Sequence, residues 1–185
     1  MNTVIDLVRA IDFAARMHSP QKRKGKREEP YVNHLTEVAL LLAEATEGKD
    51  VNLVMAGYLH DTIEDCADFG NPVTYDDLAK QFGTDVAGLV LEATDDKSLP
   101  KEERKLLQVK NAPKKSDRAK MLKVADKIAN LRAILDPQTA PPSWPLQRKQ
   151  AYFEWARQVV EGCRGQNTRL DALFDAEYAR KGQLE

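Results

Sequence analysis

Met121-Leu122-Lys123-Val124-Ala125-Asp126-Lys127-Ile128-Ala129-Asn130-Leu131 is a run whose apolar residues return with a period near 3.6, the spacing of a helix and not of a strand. The helical pattern extends from Asp117 to Leu135, and the same period recurs along the chain, while alternating strand-like runs are missing. On the amino-terminal side, Val4, Leu7, Ile11 and Ala14 form one stripe. Leu35, Val38, Ala39 and Leu42 form a second, with Asn33 as its N-cap and Gly48 near its end. Leu53, Ala56, Gly57 and His60 make a third. Thr74-Tyr75-Asp76-Asp77 has the form of a capping box opening a helix through Phe82, with Gly83 as its stop. Further helices are predicted over 86–93, 100–109, 146–161 and about 168–180, and two segments of the chain break the helical reading, the basic loop 21–30 and the proline-rich loop 136–145. The expectation is an all-α, single-domain helical bundle spanning residues 1–185.

Composition narrows the function classes. The 185 residues carry 28 Lys+Arg against 29 Asp+Glu, so no global charge recruits nucleic acid. With 42% hydrophobic residues the chain can bury a core of ordinary size. No stretch approaches the roughly 18 apolar residues of a membrane span, and MNTVIDLVRA lacks the basic start and apolar run of a signal peptide. Cys66 and Cys163 are too few and too far apart for a CxxC site or a disulfide framework, which agrees with a cytoplasmic location. Nine glycines scattered singly exclude a P-loop, so any phosphate has to be held by side chains.

The chemistry concentrates in Leu59-His60-Asp61-Thr62-Ile63-Glu64-Asp65. On a continuous helix the three- and four-residue spacings put one imidazole and three carboxylates on one face, where like charges repel unless a cation compensates them. Alone, the pair reads first as a core histidine at a solvated acidic helix end. His34 opens another helix, and Asp126 sits inside an apolar one, where an aspartate is costly unless paired; Lys123 or Lys127 would be its bland partners. Together His34, His60, Asp61 and Asp126 offer two imidazoles and two carboxylates, a set that suits one Mn²⁺ or Fe²⁺ better than Mg²⁺. His18 reads as a helix-end hydrogen-bonding group, Cys66 as a buried inert thiol, and Trp144, Trp155, Phe153 and Phe174 as core and helix-packing groups.

His34, the adjacent pair His60-Asp61 and the later Asp126 resemble the HD phosphohydrolase superfamily. More closely, Pro30-Tyr31-Val32-Asn33-His34, the run 59–65, Thr94-Asp95-Asp96-Lys97-Ser98-Leu99-Pro100, Ala125-Asp126-Lys127-Ile128-Ala129-Asn130-Leu131 and Tyr152-Phe153-Glu154-Trp155-Ala156 resemble the hydrolase domain of RelA/SpoT proteins, of the small stand-alone metazoan SpoT-homologue type. Two places depart from the family pattern: Leu35, where a proline usually follows the histidine, and Lys26-Arg27-Glu28-Glu29, in a loop that varies. The resemblance implies Mn²⁺-dependent hydrolysis of the 3′-pyrophosphate of guanosine tetra- or pentaphosphate. Glu64 and Asp65 would orient the water and take its proton. Arg23, Lys24, Lys97, Arg104, Asn130, Arg148 and Tyr152 would hold the nucleotide. Phosphatase action on another 2′- or 3′-phosphorylated nucleotide such as NADPH, and a catalytically silent nucleotide-binding module, are the competing readings. No nucleic acid or membrane partner is implied, and a homo-oligomer is left open.

Overall fold

The computed structural model describes residues 3–185; the expected domain span of 1–185 includes Met1 and Asn2, which lie outside the described residues. Every regular element among them is helical. Contacts divide the described residues into two compact units, the first made of residues 3–21 and 30–98, the second of 22–29 and 99–185. The proline-rich loop 136–145 lies inside the second unit, so it is not a linker.

The first unit holds α1 (Val4–Met17), α2 (Val32–Ala45), α3 (Val51–Leu59), the single turn α4 (Thr62–Asp65), α5 (Tyr75–Phe82) and α6 (Thr84–Ala93). Its centre is α3, which packs against α1, α2 and α6. The sequence VNLVMAGYL explains this: it is apolar around its whole circumference, and Leu53, Met55, Ala56 and Leu59 are fully buried. Gly57 sets the spacing of α2 and α3, because a Cβ there would lie 2.9 Å from Ala39 Cα and 3.0 Å from Leu42 Cδ1. The predicted capping box is formed: Thr74 accepts the Asp77 amide proton while the Asp77 carboxylate accepts from Thr74.

Three local expectations are corrected. The buried stripe of α1 is Ala10, Phe13 and Ala14, not Val4, Leu7, Ile11 and Ala14; Val4 is 76% exposed. Phe13 sets that rotation by meeting the Phe82 ring edge-on at 5.5 Å, and only the later half of α1 is covered. Asn33 is not an N-cap: α2 already begins at Val32, with Tyr31 preceding it. The run 59–65 is not one helix either. It ends at Leu59 and restarts at Thr62.

The second unit holds α7 (Lys101–Asn111), α8 (Asp117–Leu135), α9 (Leu146–Glu161) and α10 (Thr168–Ala179). The bounds of α8 and α9 are those the periodicity predicts. Ser116 caps α8 by accepting the Ala119 amide proton. As in α3, burial runs around α8, which packs on α9 and α10, and its buried residues include Lys123, Asp126 and Lys127 among the aliphatics.

Candidate active site

In the first unit, two chain segments deliver three donors to one point. His34 lies in the first turn of α2, His60 caps the end of α3, and Asp61 stands at the N-cap position before α4. One ligand atom from each falls within 4.8 Å of the others; both histidines are buried and Asp61 is half-buried. His60 Nε2 is 3.1 Å and His34 Nε2 3.9 Å from Asp61 Oδ2, and the two rings stand 5.4 Å apart. His60 Nδ1 lies 2.9 Å from the Gly57 carbonyl, which can only accept. That makes Nδ1 the donor and turns Nε2 toward Asp61, the nitrogen a neutral ring would offer to a cation. Two imidazoles and a carboxylate converging in a buried place, one imidazole oriented by a backbone carbonyl, are a donor set that fits a first-row divalent cation. The Tyr31 hydroxyl donates to the same Asp61 Oδ2 at 2.6 Å and its ring leans on His34.

Glu64 and Asp65 lie beyond this cluster on α4. Glu64 Oε2 accepts the Asp95 amide proton at 3.0 Å. Asp65 is held at both oxygens: Gln21 Nε2 donates to Oδ2 at 2.9 Å and Lys97 Nζ reaches Oδ1 at 2.6 Å. Lys97 also pairs with Asp68. Burial works against its charge, but the bonds to Asp65 and Asp68 outweigh that and hold its pKa above the ordinary lysine value. His18 is buried at the end of α1, where burial pushes its pKa below the ordinary 6.5 despite the bond to Gln21. Its Nδ1 lies 2.6 Å from Gln21 Oε1, so it makes the helix-end hydrogen bond expected of it.

The other predicted site residues belong to the second unit. Asp126, 8% exposed, accepts from Lys127 Nζ at 2.9 Å and Asn130 Nδ2 at 2.6 Å, so the ion pair weighed from sequence is formed. Arg23 donates to Asn130 Oδ1 at 3.2 Å, joining three of the predicted residues in one network. Lys127 sits 4.4 Å over the Trp155 ring, whose indole donates to the Lys105 carbonyl. Trp155 meets Tyr152, Tyr152 meets Trp144, and Arg148 lies 4.4 Å over Trp144. Trp155 is thus half-exposed beside Lys127 and Lys105, and Trp144 half-exposed beneath Arg148, not core as expected, whereas Phe153 and Phe174 are fully buried. Partial burial, then the charges of Arg148 and Lys105, lower the Lys101 pKa, with Lys24 adding to the effect. Crowded cations of this kind favour an anion. Lys24 is exposed in its loop and Arg104 half-buried on α7.

Sequence reasoning missed Tyr31 and Gln21. Tyr31 carried a signal, standing three residues before His34 and so one helical turn away. Gln21 carried none, because its partners are brought to it by the fold.

Residues 10–151 match the family model of the HD domain. The guanosine-3′,5′-bis(diphosphate) 3′-pyrophosphohydrolase MESH1 of Drosophila melanogaster is 42% identical over 174 residues, covering 94% of this chain and 93% of its own. That of Homo sapiens is 43% identical over 176 residues, covering 95% and 94%. A solved structure described by the words "a metazoan ortholog of SpoT hydrolyzes ppGpp and plays a role in starvation responses" superposes with a TM-score of 0.89 at 41% identity, covering 100% of this chain and 99% of that one.

Proposed function

The chain belongs to the HD-domain family, and we propose that it is a guanosine-3′,5′-bis(diphosphate) 3′-pyrophosphohydrolase, converting guanosine tetra- or pentaphosphate to GDP or GTP and pyrophosphate. The observation that carries this reading is the convergence of His34, His60 and Asp61 beside Glu64 and Asp65, in a chain nearly colinear with relatives that bear that name.

His34, His60 and Asp61 would hold one Mn²⁺, with Fe²⁺ as the alternative. Asp126 is assigned as a further ligand on the family pattern and on its burial as a charge in α8. When bound, such an ion polarises the phosphoryl group and acidifies water. Glu64 and Asp65 orient the water and accept its proton as its oxygen bonds to the phosphorus on the ribose 3′-oxygen. The P–O3′ bond breaks, the 3′-oxygen takes up a proton, and pyrophosphate leaves. Arg23, Lys24, Lys97, Arg104 and Arg148 supply the cations that a substrate with two diphosphates requires, and Asn130 and Tyr152 contribute hydrogen bonds and a ring face. No described helix is long and apolar enough to cross a membrane, and two free buried cysteines go with a cytoplasmic protein.

The test is product analysis with Mn²⁺ and guanosine tetraphosphate. GDP and pyrophosphate in equal amounts are expected; orthophosphate, or binding without turnover, overturns the assignment. An Asp126→Ala protein that keeps its full metal content would remove Asp126 from the ligands.

A further inference from the structure

His18, Gln21 and Asp65 form a line of hydrogen bonds that the reaction just described does not account for. Asp65, facing the Lys97 ammonium at 2.6 Å, is a carboxylate and can only accept. Gln21 must therefore turn its NH₂ toward Asp65 Oδ2, 2.9 Å away, which points its Oε1 at His18 Nδ1, 2.6 Å away. An amide oxygen only accepts, so Nδ1 carries the proton and Nε2 the lone pair. Nε2 lies 3.5 Å from Cys66 Sγ, and burial, with Asp65 and Asp61 adding to it, pushes that thiol up to about 12, so its S–H is retained to donate. Each donor then meets an acceptor from Cys66 through His18 and Gln21 to Asp65. Reversing the Gln21 amide would set its oxygen against the carboxylate. His18 and Gln21 are buried, and the imidazole stacks on Tyr31 at 5.2 Å, so the ring has little freedom to choose another partner.

We propose that His18 and Gln21 are positioning residues for hydrolysis: the His18 Nδ1–H fixes the flip of the Gln21 amide, and that amide fixes the carboxylate plane of Asp65 toward the attacking water. The proposal rests on the reading of Asp65 as a water-orienting group. Gln21→Leu keeps volume and removes both bonds, so kcat should fall about 10- to 100-fold, as when the support of a catalytic group is lost, with KM held within about twofold. His18→Leu should reproduce the loss. His18→Asn, whose amide nitrogen stands in for Nδ1, should recover most of it.

The decisive comparison is a double-mutant cycle in the Mn²⁺-loaded protein with guanosine tetraphosphate. Asp65→Asn should collapse kcat, and adding Gln21→Leu should cost nothing more, whereas a merely structural glutamine would lower activity in both backgrounds. If Asp65→Asn turns over at the wild-type rate, the reading of Asp65 fails. If it collapses while Gln21→Leu retains wild-type kcat, or the two losses add, the positioning role is overturned. Nitrogen-15 spectra of the unsubstituted protein give a readout free of turnover and of any folding defect: His18 should show a protonated Nδ1 and an unprotonated Nε2. The opposite tautomer refutes the proposal.

Discussion

Tyr31→Phe isolates one bond at the proposed metal donors. The ring stays, and with it the stacking on His18 and the contact with His34, so the fold around it is preserved. What disappears is the 2.6 Å donation to Asp61 Oδ2, the oxygen that also faces His60 Nε2 at 3.1 Å. A hydrogen bond to a charged acceptor contributes about 1.5–3 kcal/mol. If that whole amount orients the carboxylate for a cation, metal affinity falls by about 10- to 150-fold at 1.4 kcal/mol per tenfold. Losses on removing a group that supports a metal ligand fall in a similar range, about 10- to 100-fold. The assay is competitive titration of metal-free protein with Mn²⁺ against an indicator chelator, alongside thermal melting of the same metal-free samples. Expected is a weaker Kd for Tyr31→Phe with a Tm close to that of the unsubstituted protein. An unchanged or tighter Kd would refute the reasoning, because the hydroxyl would then be competing for the Asp61 lone pair and not aiming it.

Three other perturbations follow from the geometry. Gly57→Ala forces a methyl against the Ala39 backbone, at an overpacking cost of about 1–3 kcal/mol against about 1 kcal/mol regained in helix propensity; separation of α2 and α3 should weaken Mn²⁺ binding more than it lowers Tm, and wild-type affinity would show that helix spacing does not set the site. The His18 pKa is lowered on folding, so as pH falls the unfolded chain takes up that proton first: the contribution to stability is complete above about 6.5 and declines toward the lower folded value, and His18→Asn should flatten the Tm curve in that window, an unflattened curve assigning the acid sensitivity elsewhere. Cys66 and Cys163 are buried with raised pKa values, so iodoacetamide at pH 8 should label neither thiol in the native protein and both in denaturant; prompt native labelling would contradict the burial from which the Cys66 donor role follows.

What was legible in the sequence follows from what local pattern can encode. The ends of α8 and α9 and the capping box at Thr74 depend on residues within a turn of one another, and the sequence reading matched them. The rotation of α1 depends on Phe82 and on how much of the helix its neighbours cover, so an apolar stripe at Val4 and Leu7 misled. His34, His60 and Asp61 could be named because the residue types are rare and their chemistry specific, but Gln21 is an ordinary polar residue until the fold sets Asp65 and His18 on either side of it. The end of α3 was hidden for another reason: His60 lies at φ −58°, ψ −30° and Asp61 at φ −98°, ψ 0°, angles any residue adopts, so no glycine or proline marks the place.

That unmarked break is what makes an adjacent His-Asp pair useful. On an uninterrupted helix, neighbouring side chains do not face each other, and His60 and Asp61 could not both bring an atom to one point. The last carbonyls of a helix need partners from beyond it: the Thr62 hydroxyl donates to that of Leu59 and the His60 imidazole takes that of Gly57, which in the same stroke turns Nε2 toward Asp61. Asp61 stands where an aspartate ordinarily caps the next turn, yet its side chain makes no capping bond. It gives up a contribution of about 1 kcal/mol to α4 and turns instead to Tyr31 and the histidines. A residue placed to stabilise a helix and directed elsewhere is local structure yielding to chemistry. The helix end and the proposed metal donors are therefore one construction, and a substitution that healed the break into continuous helix would remove that convergence while strengthening the secondary structure.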